Sequence, residues 1–204
     1  MAANLDGVDD EMSALVGIRT MGYTDLKQVI EVEQRAYPHP WTIGIFRDCL
    51  RVGYNAWVMT LGQSVIGYGV VMLSPGEAHI LNICIDPEYQ GKGLGRYLLR
   101  HLVKRSNQTD VDMILLEVRR SNYGAQQLYL SEGFHELGVR KAYYPAAEGR
   151  EDAIILAKSL VTDYDPMLGI WHAIQRDKRR GHKDAEGTKK IIFGFTSIDS
   201  YRPG

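Results

Sequence analysis

Three glycines, Gly91, Gly93 and Gly95, alternate with Lys92 and Leu94 just ahead of Arg96 and a leucine-rich run. Glycine tolerates positive φ and lets backbone N–H groups approach a ligand closely. A helix opening directly after such a loop adds its unpaired N–H groups and the positive end of its dipole. Together they make a cradle for phosphate, and Lys92 and Arg96 bring positive charge beside it. A plain glycine turn before a helix is the competing reading. Two further side chains stand out. Glu117 is the one charged residue in the apolar run Met113–Val118. Burial would raise its proton affinity toward the range where a carboxylate serves as a general base. Tyr129 follows on the next helical stretch. Its phenol keeps a proton at neutral pH and can donate it. Against these stand a solvent-facing strand position for Glu117 and a half-buried packing aromatic for Tyr129.

The phosphate ligand can be narrowed by spacing. A P-loop needs Gly-Lys followed by Ser or Thr, and here Gly93 follows Lys92. A dinucleotide fingerprint needs Gly-x-Gly-x-x-Gly directly after a strand. Here the glycines are evenly spaced, and Asp86–Gln90 separates them from the strand. Asp112 lies at a ribose-binding distance downstream, so a nucleotide-binding module stays an alternative.

The elements that must hold these groups alternate between strand and helix. Val16–Met21 predicts a short strand. Thr24 is placed to cap a helix carrying Leu26, Val29, Ile30 and Ala36 at helical spacing. Pro38 and Pro40 end it. Thr42 caps a second helix through Leu50. Ala56–Leu61 and Val65–Leu73 flank Gly62-Gln63-Ser64 as a hairpin. This explains the uncharged stretch Val52–Gly76 without a membrane span, since polar residues and glycines interrupt it. Ala78–Ile85 is a strand stopped by Asp86-Pro87. The helix after the glycines buries Leu94, Leu98, Leu99, Leu102 and Val103. Met113–Val118 is a strand, and Ser121 or Asn122 caps a helix through Leu130 that Gly133 ends. Phe134–Tyr144 and Asp152–Ser159 close the pattern. The reading is an α/β (α+β) domain over residues 16–160.

The segment Ile85-Asp86-Pro87-Glu88-Tyr89-Gln90-Gly91-Lys92-Gly93-Leu94-Gly95-Arg96-Tyr97-Leu98-Leu99 resembles the acetyl-CoA loop of the GNAT N-acetyltransferases. The resemblance extends to Glu33–Ala36, Pro40–Thr42, Leu116–Arg119, Asn122 with Tyr129, Tyr143–Pro145 and Gly149–Ala153. It implies the GNAT fold, a mixed central sheet of about six to seven strands with about four helices, splayed at the acetyl-CoA site. It implies acetyl-CoA as co-substrate, with the pyrophosphate on Gly91, Lys92, Gly93, Leu94, Gly95 and Arg96. The backbone of Ile83, Cys84 and Ile85 would lie along the pantetheine arm, with its N–H groups as oxyanion donors, and Asn122 would bond the same arm or act as a helix cap. Glu117 becomes the base and Tyr129 the acid. These motifs match most closely the branch that acetylates the N-terminal alanine of small-subunit ribosomal protein S18. The acceptor peptide would then lie near Trp41 and Tyr144, each equally readable as core packing, and Glu33 would read a basic residue at its second position.

Simple acid–base arithmetic favours an α-amine. Its pKa of about 7.7–8.0, against about 10.4 for lysine, leaves roughly one in ten molecules neutral at pH 7. Mild help from one carboxylate suffices. The six histidines show no metal-ligand spacing, so no metal is expected, and Cys84 reads as a small buried hydrophobe. Two cysteines and a net charge of -1 fit a cytoplasmic protein that is not a general nucleic-acid binder. Residues 1–15 form an acidic arm. The 161–204 extension holds one short helix candidate, Met167–Gln175, and one strand candidate, Lys190–Phe195. Its basic cluster Arg176–Lys183 carries charge for a weak contact with RNA or the ribosome, against the reading of a solvated, mobile segment. Transfer to lysines or small amines, and an inactive partner-binding scaffold, are the remaining alternatives.

Overall fold

A computed structural model of the chain describes residues 15–161. The acidic arm, the basic cluster and both elements expected after Ser159 lie outside these residues. Seven strands form one mixed sheet in the order β1-β2-β3-β4-β5-β7-β6. They are β1 Val16–Thr20, β2 Asn55–Leu61, β3 Ser64–Ser74, β4 Gly76–Ile85, β5 Val111–Arg119, β6 His135–Pro145 and β7 Arg150–Ser159. Four α-helices accompany them: α1 Leu26–Ala36, α2 Ile43–Arg51, α3 Leu94–Ser106 and α4 Tyr123–Ser131. The uncharged stretch is the β2–β3 hairpin. No helix among the described residues is long and apolar enough to cross a membrane.

The helices cover both faces of the sheet. On one face, Val29 and Val32 of α1 and Phe46 of α2 pack with Val58, Tyr68, Val70 and Cys84. On the other, Leu99 and Leu102 of α3 and Tyr129 of α4 pack with Ala78, Ile80, Ile114, Leu116 and Val118. Alternation along β5 follows from this: Ile114, Leu116 and Val118 face α3 and α4, so Leu115, Glu117 and Arg119 face the other way. The α3 stripe is buried as its spacing requires, at Leu94, Leu98, Leu99 and Leu102, with Val103 at its margin.

Two local expectations changed. Thr24 does not cap α1. A single 3₁₀ turn, Tyr23–Asp25, runs into the helix. Asp25 closes it by accepting from the Gly22 N–H at 2.8 Å while Arg19 holds its carboxylate through two 2.7 Å bonds. A two-point guanidinium bond outweighs a lone hydroxyl cap. The last hairpin is also irregular. The β6–β7 register slips between Arg140 and Tyr144, leaving Ala142 at φ +50°. The Asp152 carboxylate holds the bulge, accepting from Ala142 N–H and Lys141 Nζ at 2.9 Å each. A bulge re-aims the side chains beyond it, here Tyr143 and Tyr144.

Candidate active site

The site begins where two parallel strands part. β4 pairs with β5 only from Gly76↔Val111 to Ile80↔Leu116. Beyond that point β4 continues to Ile85 and β5 to Arg119 without bonding to each other, although β4 stays paired with β3 and β5 with β7. The sheet is split at the carboxyl ends of its one parallel pair. That is the place where open α/β sheets bind ligands.

The glycine loop follows β4 directly. Asp86 is 3% exposed, caps the turn Pro87–Tyr89 by accepting from Glu88 N–H, and is ion-paired to Arg35 of α1. Gln90 Nε2 donates to the Ile85 carbonyl at 2.9 Å. With both ends pinned, the chain turns through Gly91 at φ +74° and Gly93 at φ +79°. No side chain caps α3. Among the described residues, the amides of Gly91 to Arg96 have no acceptor, so they stay available to an anion. Gly95 is helical, and its place leaves ordinary room for a Cβ beside Leu128. The Leu94 side chain is 1% exposed and belongs to the core, leaving its N–H as the usable group. The two basic side chains are engaged elsewhere: Lys92 with the Glu88 carbonyl and the Tyr89 ring, Arg96 with Glu132 and Ser131 of α4. The cradle is therefore built from backbone rather than from salt bridges.

Glu117 stands at the split on the α1 side. Its Oε2 is 2.6 Å from His79 Nε2, and its Oε1 is 3.2 Å from Arg140 Nη1. Its backbone carbonyl accepts from the Tyr144 hydroxyl at 3.1 Å. Tyr129 rises from the α3–α4 side, packed on Phe134 with ring centroids 5.9 Å apart. It is 7% exposed. Burial raises its hydroxyl above the ordinary phenol range, and nearby Cys84 adds to this. The two groups start from opposite faces of the sheet: Glu117 faces away from α3 and α4, and Tyr129 packs in the cluster beneath those helices. Burial raises the Tyr144 hydroxyl above the ordinary phenol range, with Glu117 adding to it.

The β4 side of the gap holds Ile83, Cys84 and Ile85. Tyr37 donates to the Ile83 carbonyl at 3.3 Å. Burial, then the neighbouring Glu33, pushes the Cys84 thiol up to about 12. It is not a thiolate at neutral pH. Asn122 caps α4, its side chain accepting from Ala125 N–H at 3.1 Å. It stands just before the helix, with a ψ of 68° that is not helical.

Glu33 is moved from the surface to the interior. It is 1% exposed, accepting from Trp41 N–H at 2.7 Å and from the Tyr68 hydroxyl. Desolvation raises its carboxyl, only partly offset by those bonds. Both oxygens take donors that hold the α1–α2 link to β3. Trp41 is half-buried, its ring 5.3 Å from Phe46. Tyr144 lies at the mouth, under the Arg119 guanidinium at 4.4 Å from its ring centroid. Arg119 in turn donates to the Pro145 carbonyl and pairs with Glu151. His79 and Arg140 escaped the sequence reading. A polar residue inside the apolar run Ala78–Ile85 was a signal for His79. Arg140 gave none, because only the β5–β7–β6 pairing brings it to Glu117.

A split parallel pair followed by a cradle of free amides is the frame of a ligand site at the carboxyl ends of β4 and β5. The Acetyltransferase (GNAT) family model matches residues 26–134, and the chain belongs to that family and is an N-acetyltransferase. It is 39% identical over 140 residues to the [ribosomal protein bS18]-alanine N-acetyltransferase of Escherichia coli K12, covering 69% of this chain and 95% of that one. It is 34% identical over 147 residues to a putative enzyme of the same name from Bacillus subtilis, covering 71% and 96%. Among solved structures it matches the Escherichia coli ribosomal-protein-S18-alanine N-acetyltransferase with a TM-score of 0.69 at 37% identity, over 74% of this chain and 97% of that one.

Proposed function

We propose that the protein acetylates a protein N-terminus with acetyl-CoA, and that its substrate is the N-terminal alanine of ribosomal protein S18. The names of its relatives support the substrate. What supports the chemistry is the parting of β4 and β5 beyond Ile80 and Leu116, which leaves Glu117 one residue past the last pairing, with the glycine loop following β4. The chain fits the co-substrate on its own terms. Free amides from Gly91 to Arg96 suit a diphosphate. A Cβ at Gly91 would meet nothing within 4 Å, so the loop is open on that side. The freed edge of Ile83–Ile85 suits the amides of the pantetheine arm.

Bound acetyl-CoA supplies the acetyl group as a thioester, whose bond to sulfur breaks as the amine nitrogen bonds the acetyl carbon. Glu117 takes the proton from that nitrogen, directly or through one water. Tyr129 donates to the departing sulfur. Its raised proton affinity keeps it protonated until charge builds there, so it acts as a donor held in place, not as a strong acid. The two proton movements are thereby separated on opposite sides of the gap. Trp41 and Tyr144 offer apolar contact to an extended peptide, and Arg119 and Glu151 frame its exit. A cytoplasmic location follows from the substrate.

The test is direct. The protein is incubated with labelled acetyl-CoA and a peptide beginning Ala-Arg that also contains a lysine, and the label is located by fragmentation. Label on the α-nitrogen is expected. Label on the lysine alone rejects the reading in favour of a side-chain acetyltransferase.

A further inference from the structure

His79 and Glu117 sit on adjacent strands and on one face of the sheet. The parallel register sets His79 opposite Leu115, which puts Glu117 on the diagonal one step up that face. The ring nitrogen and the carboxylate oxygen are 2.6 Å apart, with 8% and 10% of the two side chains exposed. The opposite carboxylate oxygen is held by Arg140 from β6. Tyr144 does not touch the carboxylate and bonds the backbone carbonyl of the same residue. Glu117 is thus gripped from both sides, by β4 and by β6. We infer that His79 is a positioning residue for the catalytic base, its Nε2–H bond fixing the Glu117 carboxylate so that a free lone pair faces the gap where the amine arrives. Toward a carboxylate the bonded ring nitrogen is the one carrying hydrogen. Without that bond the carboxylate loses its hold on the β4 side, while Arg140 still holds the other oxygen. A misplacement of about 1 Å at a reacting group costs as much as about a hundredfold in rate.

The inference rests on Glu117 being the base, and a double-mutant cycle separates the two claims. The turnover number, the KM for an Ala-Arg peptide and the affinity for acetyl-CoA are measured for His79→Ala, His79→Gln, Glu117→Gln and His79→Ala with Glu117→Gln, with thermal unfolding as the check on folding. His79→Ala is expected to lower kcat by about ten- to a hundredfold, with acetyl-CoA affinity unchanged. His79→Gln puts an amide N–H near the position of Nε2 and is expected to recover kcat to within about threefold of the parent, a tolerance set by the remaining hydrogen bond. With Glu117 already replaced, His79→Ala is expected to change kcat by less than about twofold, since coupled residues are not additive. The same loss from His79→Ala in both backgrounds, equal losses from Ala and Gln, or no loss from either overturns the positioning role and leaves Glu117 as base untouched. An unchanged kcat for Glu117→Gln overturns the base assignment and this inference together.

Discussion

Glu33 and Glu117 are two buried glutamates with opposite surroundings. Glu33 accepts from neutral donors, a backbone N–H and a phenol, and desolvation dominates its proton affinity. Glu117 meets a histidine and an arginine at the edge of an opening in the sheet. The first ties a loop to a helix and a strand. The second is held from both flanks one residue beyond the last β4–β5 pairing. Burial alone therefore does not mark a catalytic carboxylate. What marks it is an approach route for the substrate, and that comes from the divergence of β4 and β5 beyond Ile80 and Leu116.

The largest effect that would sharpen this contrast is loss of the Glu117 base. Glu117→Gln is expected to lower kcat by about a hundred- to a thousandfold in a steady-state acetylation assay, in the range of a general base. An unchanged kcat moves the base elsewhere. Tyr129→Phe keeps the packing on Phe134 but removes the donor. Its kcat is expected to fall by about tenfold or more, with acetyl-CoA affinity within about twofold by calorimetry, because a donor acting as charge develops serves the transition state more than the ground state. Gly67→Ala probes the β3–β4 side of the gap. An added Cβ would lie 2.6 Å from Ile85 Cδ1 and 2.8 Å from the Cys84 carbonyl. Overpacking of this kind costs about 1–3 kcal/mol, measurable by chemical unfolding.

The smallest effect concerns Glu33. Its carboxyl is raised above the ordinary 4.5 in the folded chain. The folded state then keeps a proton that the unfolded chain releases, so stability is greatest at low pH and declines as pH rises from 4.5 through the folded value. Glu33→Gln should remove that part of the slope in urea titrations between pH 4 and 7. A slope identical to the parent's would show that burial is not what governs this group.

The regular elements were legible because local signals agree along the chain. The α3 stripe, the β2–β3 turn at Gly62 and the α4 stop at Gly133, where φ is +81°, each follow from a short pattern. The placement of Glu117 on a strand and of Tyr129 on the following helix was legible for the same reason, one as a lone charge in an apolar run and one within a helix bounded by Asn122 and Gly133. What escaped depends on register between distant strands. The Arg140 contact needs β6 to lie outside β7, and the His79 contact needs the crossover pairing of β4 with β5. Nothing within a few residues encodes either. The burial of Glu33 was not legible either: its charge alone suggested a contact for a basic peptide residue, whereas its donors, Tyr68 and the turn at Trp41, lie 35 and 8 residues away.

The central claim concerns where the amine and the acetyl carbon meet. A crystal structure with coenzyme A joined through an acetyl bridge to the α-nitrogen of an Ala-Arg peptide measures it. The account predicts the diphosphate on the amides of Gly91 to Arg96, the sulfur within hydrogen-bonding distance of the Tyr129 hydroxyl, and the α-nitrogen within reach of Glu117 directly or through one water. A bound α-nitrogen on the far side of the gap from Glu117, with no water path between them, would contradict it.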